Sequence, residues 1–215
     1  MKEIGQEGSI QLCNSSRGLS YRPEFKDWLK KHPRAMSRVA SLIEEMIIHV
    51  PRGLRDELTE GDIKVIYINK PKYSDVFKVI VGKDKFFVKR DQGRLQMFGV
   101  HLVGGQSEYS DSVLVKHQLK DDPDIEVIDF QLGYTNHNDK NPIAYFVSKW
   151  EELETVGKYL SNPNLKIEER QEIKNKVAKV RRLFSEFHDI NMENMFYNPN
   201  TKKIKMFDLN IDPNF

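Results

Sequence analysis

The sequence predicts a protein of the α+β class, and three observations predict it. Helix-period apolar spacing opens the chain, β-branched and aromatic runs of strand length fill its middle, and a long amphipathic helix followed by two short apolar runs about a turn closes it. At 215 residues there is length for one large domain or two small ones with a substantial core. A composition of 39% hydrophobic and 31% charged residues, with 12 Gly and 9 Pro spread thinly, fits neither a fibrous nor a wholly disordered chain.

Residues 1–22, polar and carrying Asn14-Ser15-Ser16, are expected to be a flexible start. Residues 23–60 are expected to form a helical extension. Pro23 suits a first helical turn, Phe25, Trp28 and Leu29 fall at i, i+3 and i+4, and Pro33 ends the run. A second helix over about residues 34–49 gathers Met36, Val39, Leu42, Ile43, Met46 and Ile47 into one apolar stripe.

The period then shortens. Val65 and Tyr67, the run Val76–Val81 and the run Phe86–Val88 read as three antiparallel strands, the last two joined by Gly82-Lys83-Asp84. A helix near residues 106–119 follows, and strands at 125–133 and 143–149 bring the sheet to five strands within residues 61–150. Residues 151–215 contain helices at 152–160 and 167–187. In the latter Ile173, Val177, Val180, Phe184 and Phe187 fall at i, i+4, i+7, i+11 and i+14. Met195-Phe196-Tyr197 and the run Ile204–Phe207 flank Asn198-Pro199-Asn200 as a terminal hairpin.

Several function classes lose support. Thirty-four Lys and Arg against 32 Asp and Glu leave a formal charge of +2, well short of the basic excess that neutralises a run of phosphates, so no nucleic-acid partner is expected. A single cysteine, Cys13, makes neither an internal disulfide nor a cysteine zinc site, and the six histidines show no metal spacing. No stretch approaches 18 uncharged residues, and the first twenty lack the layout of a cleaved secretory signal. A cytoplasmic location is expected, with export by a route that cleaves no signal left open.

The chemistry-bearing stretch is Asp189-Ile190-Asn191-Met192-Glu193-Asn194, followed across the hairpin by Asp208. Two carboxylates and an amide at the rims of a hairpin are hard oxygen donors, the ligands that Mg²⁺ on a polyphosphate prefers. The interval Asp189 to Asn194 resembles the catalytic loop of the protein-kinase-like superfamily, and Met206-Phe207-Asp208-Leu209 stands where that family carries its metal-binding Asp. Locally the chain is similar to the minimal kinase effectors of bacterial pathogens, through Asp-Ile-Asn at 189–191 and Asn-Met-Phe-Tyr at 194–197.

The resemblance covers residues 65–208, about two-thirds of the chain, and implies a two-lobe fold. Residues 61–150 would be the N-lobe and 151–215 a minimal C-lobe. It implies a site as well. Lys89 at the end of the third strand would hold ATP phosphates, paired with Glu108 from the next helix; Ser74 and Val76 would cover the nucleotide; Trp150 and Glu151 would lie at the adenine-binding hinge. Asn194 and Asp208 would hold Mg²⁺, and Asp189 would orient the acceptor hydroxyl.

The pattern also departs from the family. Asn69, Pro71 and Ser74 stand where the phosphate-covering loop has Gly, Phe187-His188 precedes Asp189 where His-Arg or His-Gly is usual, and only seven residues follow Asp208. Each candidate has a plainer reading too: Asp189 making local backbone bonds, Lys89 solvated at a strand end, Glu108 complementing a helix dipole, Trp150 packing. The basic cluster Lys174, Lys176, Lys179, Arg181 and Arg182 reads as a solvated face or a surface for an acidic partner.

The functional expectation is an ATP- and Mg²⁺-dependent minimal protein kinase of the Ser/Thr kind, with a protein substrate or an activating protein as partner. The alternatives are a pseudokinase-type binding module and a small-molecule kinase.

Overall fold

The computed structural model describes residues 19–49, 56–69, 74–92, 106–135, 143–184 and 191–207. In chain order the elements are β1 (Leu19–Tyr21), α1 (Pro23–Lys31), α2 (Ala35–His49), β2 (Glu57–Glu60), β3 (Ile63–Asn69), β4 (Ser74–Val81), β5 (Asp84–Gln92), α3 (Gln106–Gln118), β6 (Ile125–Val127), β7 (Phe130–Thr135), β8 (Ile143–Lys149), β9 (Glu154–Thr155), α4 (Val156–Leu160), α5 (Ile167–Leu183), a 3-10 turn (Met192–Asn194), β10 (Met195–Asn198) and β11 (Lys203–Met206). The α+β class is as expected. Among the described residues, no helix is long and apolar enough to cross a membrane.

The main sheet runs β1-β7-β8-β5-β4-β3-β2, so seven strands replace the expected five. The five expected strands form its middle, every pairing is antiparallel, and the two additions sit at the edges. β2 folds back on β3 through Gly61, whose φ of +62° suits glycine alone at no steric cost. The expected boundary at residue 60 therefore cuts a hairpin. β1 pairs with β7, Leu19 opposite Tyr134, and the Arg22 amide continues the ladder by donating to the Gln131 carbonyl, so residues 19–22 are not the flexible start expected of them.

Strand periodicity divides the sheet into two faces. Val65, Phe77, Val79, Val81, Phe86, Val88 and Val147 point one way and bury the apolar stripe of α2 (Val39, Leu42, Ile43, Met46) together with Phe25 of α1. Trp28 stacks on Phe25 at 5.1 Å, meets Phe86 edge-on at 5.0 Å, and donates its indole N–H to Asp84 Oδ2 at 2.8 Å. The two N-terminal helices are thus half of the sheet's own core and no separate extension. The other face packs on α3 and on a second, smaller sheet of order β6-β11-β10-β9, with Ile173, Val177, Val180 and Phe184 of α5 beneath it.

Two expected elements are redrawn. The strand at 125–133 divides at Ile128-Asp129: β6 pairs in parallel with β11, while Phe130 enters the main sheet opposite Ser148, with a register shift between it and Leu132. Asp129 fixes the corner by taking Arg22, Lys149 at 2.9 Å and Gln131 Nε2 at 3.0 Å. The helix expected from residue 152 starts only at Val156, because Glu154 and Thr155 pair with β10 and the Thr155 hydroxyl caps the helix, accepting from the Lys158 amide at 3.3 Å. The long helix is α5 as far as Leu183; its expected continuation to Phe187 lies outside the described residues.

Candidate functional site

β5 carries the first part of the site. Successive side chains alternate, so Arg90 faces α2 and Lys89 faces α3. Lys89 Nζ lies 3.2 Å from Glu108 Oε2, in the first turn of α3, and 3.9 Å from Asp91 Oδ2. Lys89 and Glu108 are 9% and 1% exposed, so this is a buried ion pair between sheet and helix. Ser112 and Val115 share the buried face of α3, Leu119 is buried just past its end, and Tyr109 meets Phe130 edge-on at 5.2 Å, so packing along the helix fixes where the Glu108 carboxylate stands. Burial pushes the Tyr109 phenol up to about 12.

On the opposite face Arg90 grips Glu44 of α2 with two bonds of 2.7 Å and approaches Asp75 at 3.7 Å, and the Tyr145 hydroxyl also donates to Glu44. Burial alone would raise the Glu44 carboxyl, but the bonds from Arg90 and Tyr145 outweigh it and hold it below its usual value. The strand bearing Lys89 is therefore tied on both faces.

On the sheet face that carries Lys89, a cavity of about 180 Å³ opens between the main sheet and the hairpin β10–β11. The sheet contributes Ile68, Val76, Phe87 and Ser148; Val76 stands directly across from Lys89 in the β4–β5 register. Phe196 and Phe207 form the opposite wall, stacked at 4.3 Å, and Phe87 meets Phe207 edge-on at 6.4 Å. Trp150, Glu151 and Leu153, on the connection leaving β8, close the side.

The Trp150 ring lies under Lys78 Nζ at 4.2 Å, and Lys78 also pairs with Glu152 at 3.1 Å. The Glu151 side chain is engaged with Lys205 of β11 at 2.5 Å, which leaves its backbone as the part that can meet a ligand. The Trp150 amide is already used, donating to the Lys85 carbonyl at 3.0 Å.

Of the expected site residues, the structure brings together Lys89 and Glu108, and it puts Val76, Trp150 and Glu151 on one cavity. Ser74 opens β4, buried and opposite Asp91 in register. Asn194 ends the 3-10 turn at the hairpin base: its amide donates to Asn191 Oδ1 at 3.1 Å and its carbonyl accepts from the Phe207 amide at 3.3 Å. Asp189 and Asp208 lie outside the described residues, as does Pro71 of the loop expected to cover phosphate. Among the described residues no group of three His, Cys, Asp or Glu is placed to hold a metal.

Sequence reasoning missed Asp91, although a period of two puts it on the face of Lys89. It also missed the Phe196–Phe207 wall, which depends on hairpin register and has no local signal.

No family model and no curated protein matches the chain. In structure it is similar to the BubR1 kinase domain (TM-score 0.44, 15% identity, 84% of this chain and 61% of that one). It is also similar to a MAP kinase of Leishmania major (0.40, 13%, 81% and 52%) and to Rad53 1-466 in complex with AMP-PNP (0.42, 17%, 69% and 39%). The chain spans from 39% to 61% of the length of these structures.

Proposed function

We propose that the chain is a kinase-like phosphotransferase that uses ATP with Mg²⁺ and transfers to a hydroxyl of a Ser or Thr in a protein. The observation that carries the proposal is the buried Lys89–Glu108 pair on the same sheet face as an aromatic-walled cavity, with Val76 of that cavity directly across from Lys89 in register. A lysine held in place by a carboxylate keeps an ammonium fixed and charged where it can meet an anion.

The residues suit a nucleotide in kind. The cavity is below the roughly 300–1,000 Å³ of drug-sized ligand sites, so it takes a flat ring between the sheet and the phenylalanine wall. Phosphates would then lie outward, toward Lys89. Magnesium, when bound, supplies charge neutralisation at the transferring phosphoryl group. Asn194 and Asp208 would hold it through oxygen. In this reading Lys89 binds and orients phosphate, Glu108 positions Lys89, the hairpin aromatics exclude water from the ring site, and Asp189 accepts the proton of the acceptor hydroxyl. Little covalent chemistry falls to the protein, and the rate enhancement would come from alignment and electrostatics.

Phosphate transfer from labelled ATP to a generic protein acceptor, compared between the natural chain and the Lys89→Met and Asp189→Ala variants, tests the proposal. Transfer by the natural chain and its loss in both variants is the expected result, with nucleotide binding retained by Asp189→Ala. A second reading, a binding module that has lost turnover, draws on the Phe87–Phe207 contact, which narrows the cavity from within. Thermal shift with Mg²⁺ and ATP separates the two: a module of this kind gives none.

A further inference from the structure

Away from the nucleotide cavity, a groove of about 330 Å³ runs between α4, α5 and the 3-10 turn. Leu160, Val177, Ala178 and Met192 give it an apolar lining; Lys174 and Arg181 complete it. The two cations are seven residues apart on α5, about 10 Å along one face. Ile167, 81% exposed, lies one further repeat toward the helix start.

The cations of α5 differ in their partners, Arg170 donating to the Leu160 and Asn162 carbonyls. Lys176 pairs with Glu172 at 2.9 Å and Asp124 at 3.5 Å, and Lys179 reaches both Asp122 and Asp124 at 2.9 Å, so these are neutralised within the fold. Lys174, Arg181 and Arg182 are exposed and have no carboxylate partner among the described residues; Lys174 and Arg181 are the two that line the groove, and none of its lining residues is acidic. An apolar slot between two unmatched cations is complementary to a segment of the opposite sign with an apolar side chain at its centre.

We propose that this groove docks an acidic protein segment, its apolar side chain on Ala178 and Met192 and its flanking carboxylates on Lys174 and Arg181. Met192 stands three residues after Asp189, so a segment seated here lies close in sequence to the residue assigned to the acceptor hydroxyl. Naming the docked protein as the acceptor rests on the phosphotransferase reading; the docking itself does not.

Fluorescence anisotropy on the full chain, without ATP, tests the docking. The probe is a short fluorescein-labelled peptide with Leu-Phe at its centre and two Asp or Glu on each side. Saturable binding is expected, weakened about tenfold by Lys174→Glu with Arg181→Glu and by raised salt. Ala178→Trp, at an exposed position, should block the slot and weaken binding as much while leaving the melting temperature unchanged. The peptide with Ser in place of Leu-Phe should not saturate. Absence of saturable binding overturns the proposal. So does binding sensitive to charge reversal yet indifferent to Ala178→Trp, which marks a diffuse cationic patch. A concentration-dependent dimer dispersed by Ala178→Trp would assign the groove to a second copy and overturns it too. Phosphate transfer is measured separately, so either reading can fail alone.

Discussion

Replacing Glu108 by Gln removes the carboxylate from a lysine that is 9% exposed and leaves its ammonium buried beside a neutral amide. Breaking one side of a buried pair costs about 3–5 kcal/mol, because the remaining charge is neither solvated nor matched. Asp91 Oδ2, 3.9 Å away, softens the loss, which places Glu108→Gln near the lower limit, about 3 kcal/mol. Lys89→Met takes the ammonium from a carboxylate that is 1% exposed and should cost at least as much. In a chain of this size about 3 kcal/mol lowers the melting temperature by roughly 6–12 °C.

The double variant Lys89→Met with Glu108→Leu removes both charges and restores apolar packing, so it should return to within about 1 kcal/mol of the natural chain. Urea titration of the natural chain, Lys89→Met, Glu108→Leu and the double variant closes the cycle. Additive losses in the double variant, or single variants each costing under about 1 kcal/mol, would refute the buried pair. The same proteins separate structure from function: the double variant should be stable and yet transfer no phosphate, whereas a stable double variant with full transfer removes Lys89 from the mechanism.

Other consequences are equally open to measurement. Phe87→Ala widens the cavity by a ring; at a half-buried site it should cost about 1–2 kcal/mol and enlarge the ATP-induced thermal shift, and an unchanged or smaller shift would contradict a ring site that the Phe87–Phe207 contact narrows. Gly82 turns β4 into β5 with φ +59° and nothing within 4 Å of the position a Cβ would take, so Gly82→Ala should lose about 1–2 kcal/mol from conformation alone and Gly82→Asn visibly less. Glu44 sits below its ordinary 4.5, so its stabilisation is present above that value and lost as pH falls through the lower, folded-state value. Acid unfolding of the natural chain should be steeper in this range than that of Glu44→Gln, and superimposable curves would deny the tether to Arg90.

The elements legible in the sequence are those whose signal is local. Phe25, Val39, Leu42, Ile43 and Met46 are buried at helical spacing as their period predicts, and Ile173, Val177, Val180 and Phe184 likewise. Gly82 marks its turn. The edge strands escaped notice because nothing local distinguishes them: Leu19–Tyr21 becomes a strand by pairing with β7, and Glu57–Glu60, three of its four residues exposed, by pairing with β3. The break at Asp129 is equally non-local, since it is set by Arg22, Lys149 and the parallel ladder to β11.

The site shows the same division, and β5 shows why it matters. Alternation along one strand puts Lys89 and Asp91 on one face and Arg90 on the other, which a reader of the sequence can deduce; that Arg90 finds Glu44 forty-six residues earlier cannot be deduced. Because the N-terminal helices grip β5 through Arg90 while α3 grips it through Lys89, a helix pair that reads as an appendage lies one peptide unit from the residue assigned to phosphate. Loss of the Glu44–Arg90 grip would free the strand on the face away from the cavity, leaving Glu108 and the packing of α3 to hold Lys89 in register.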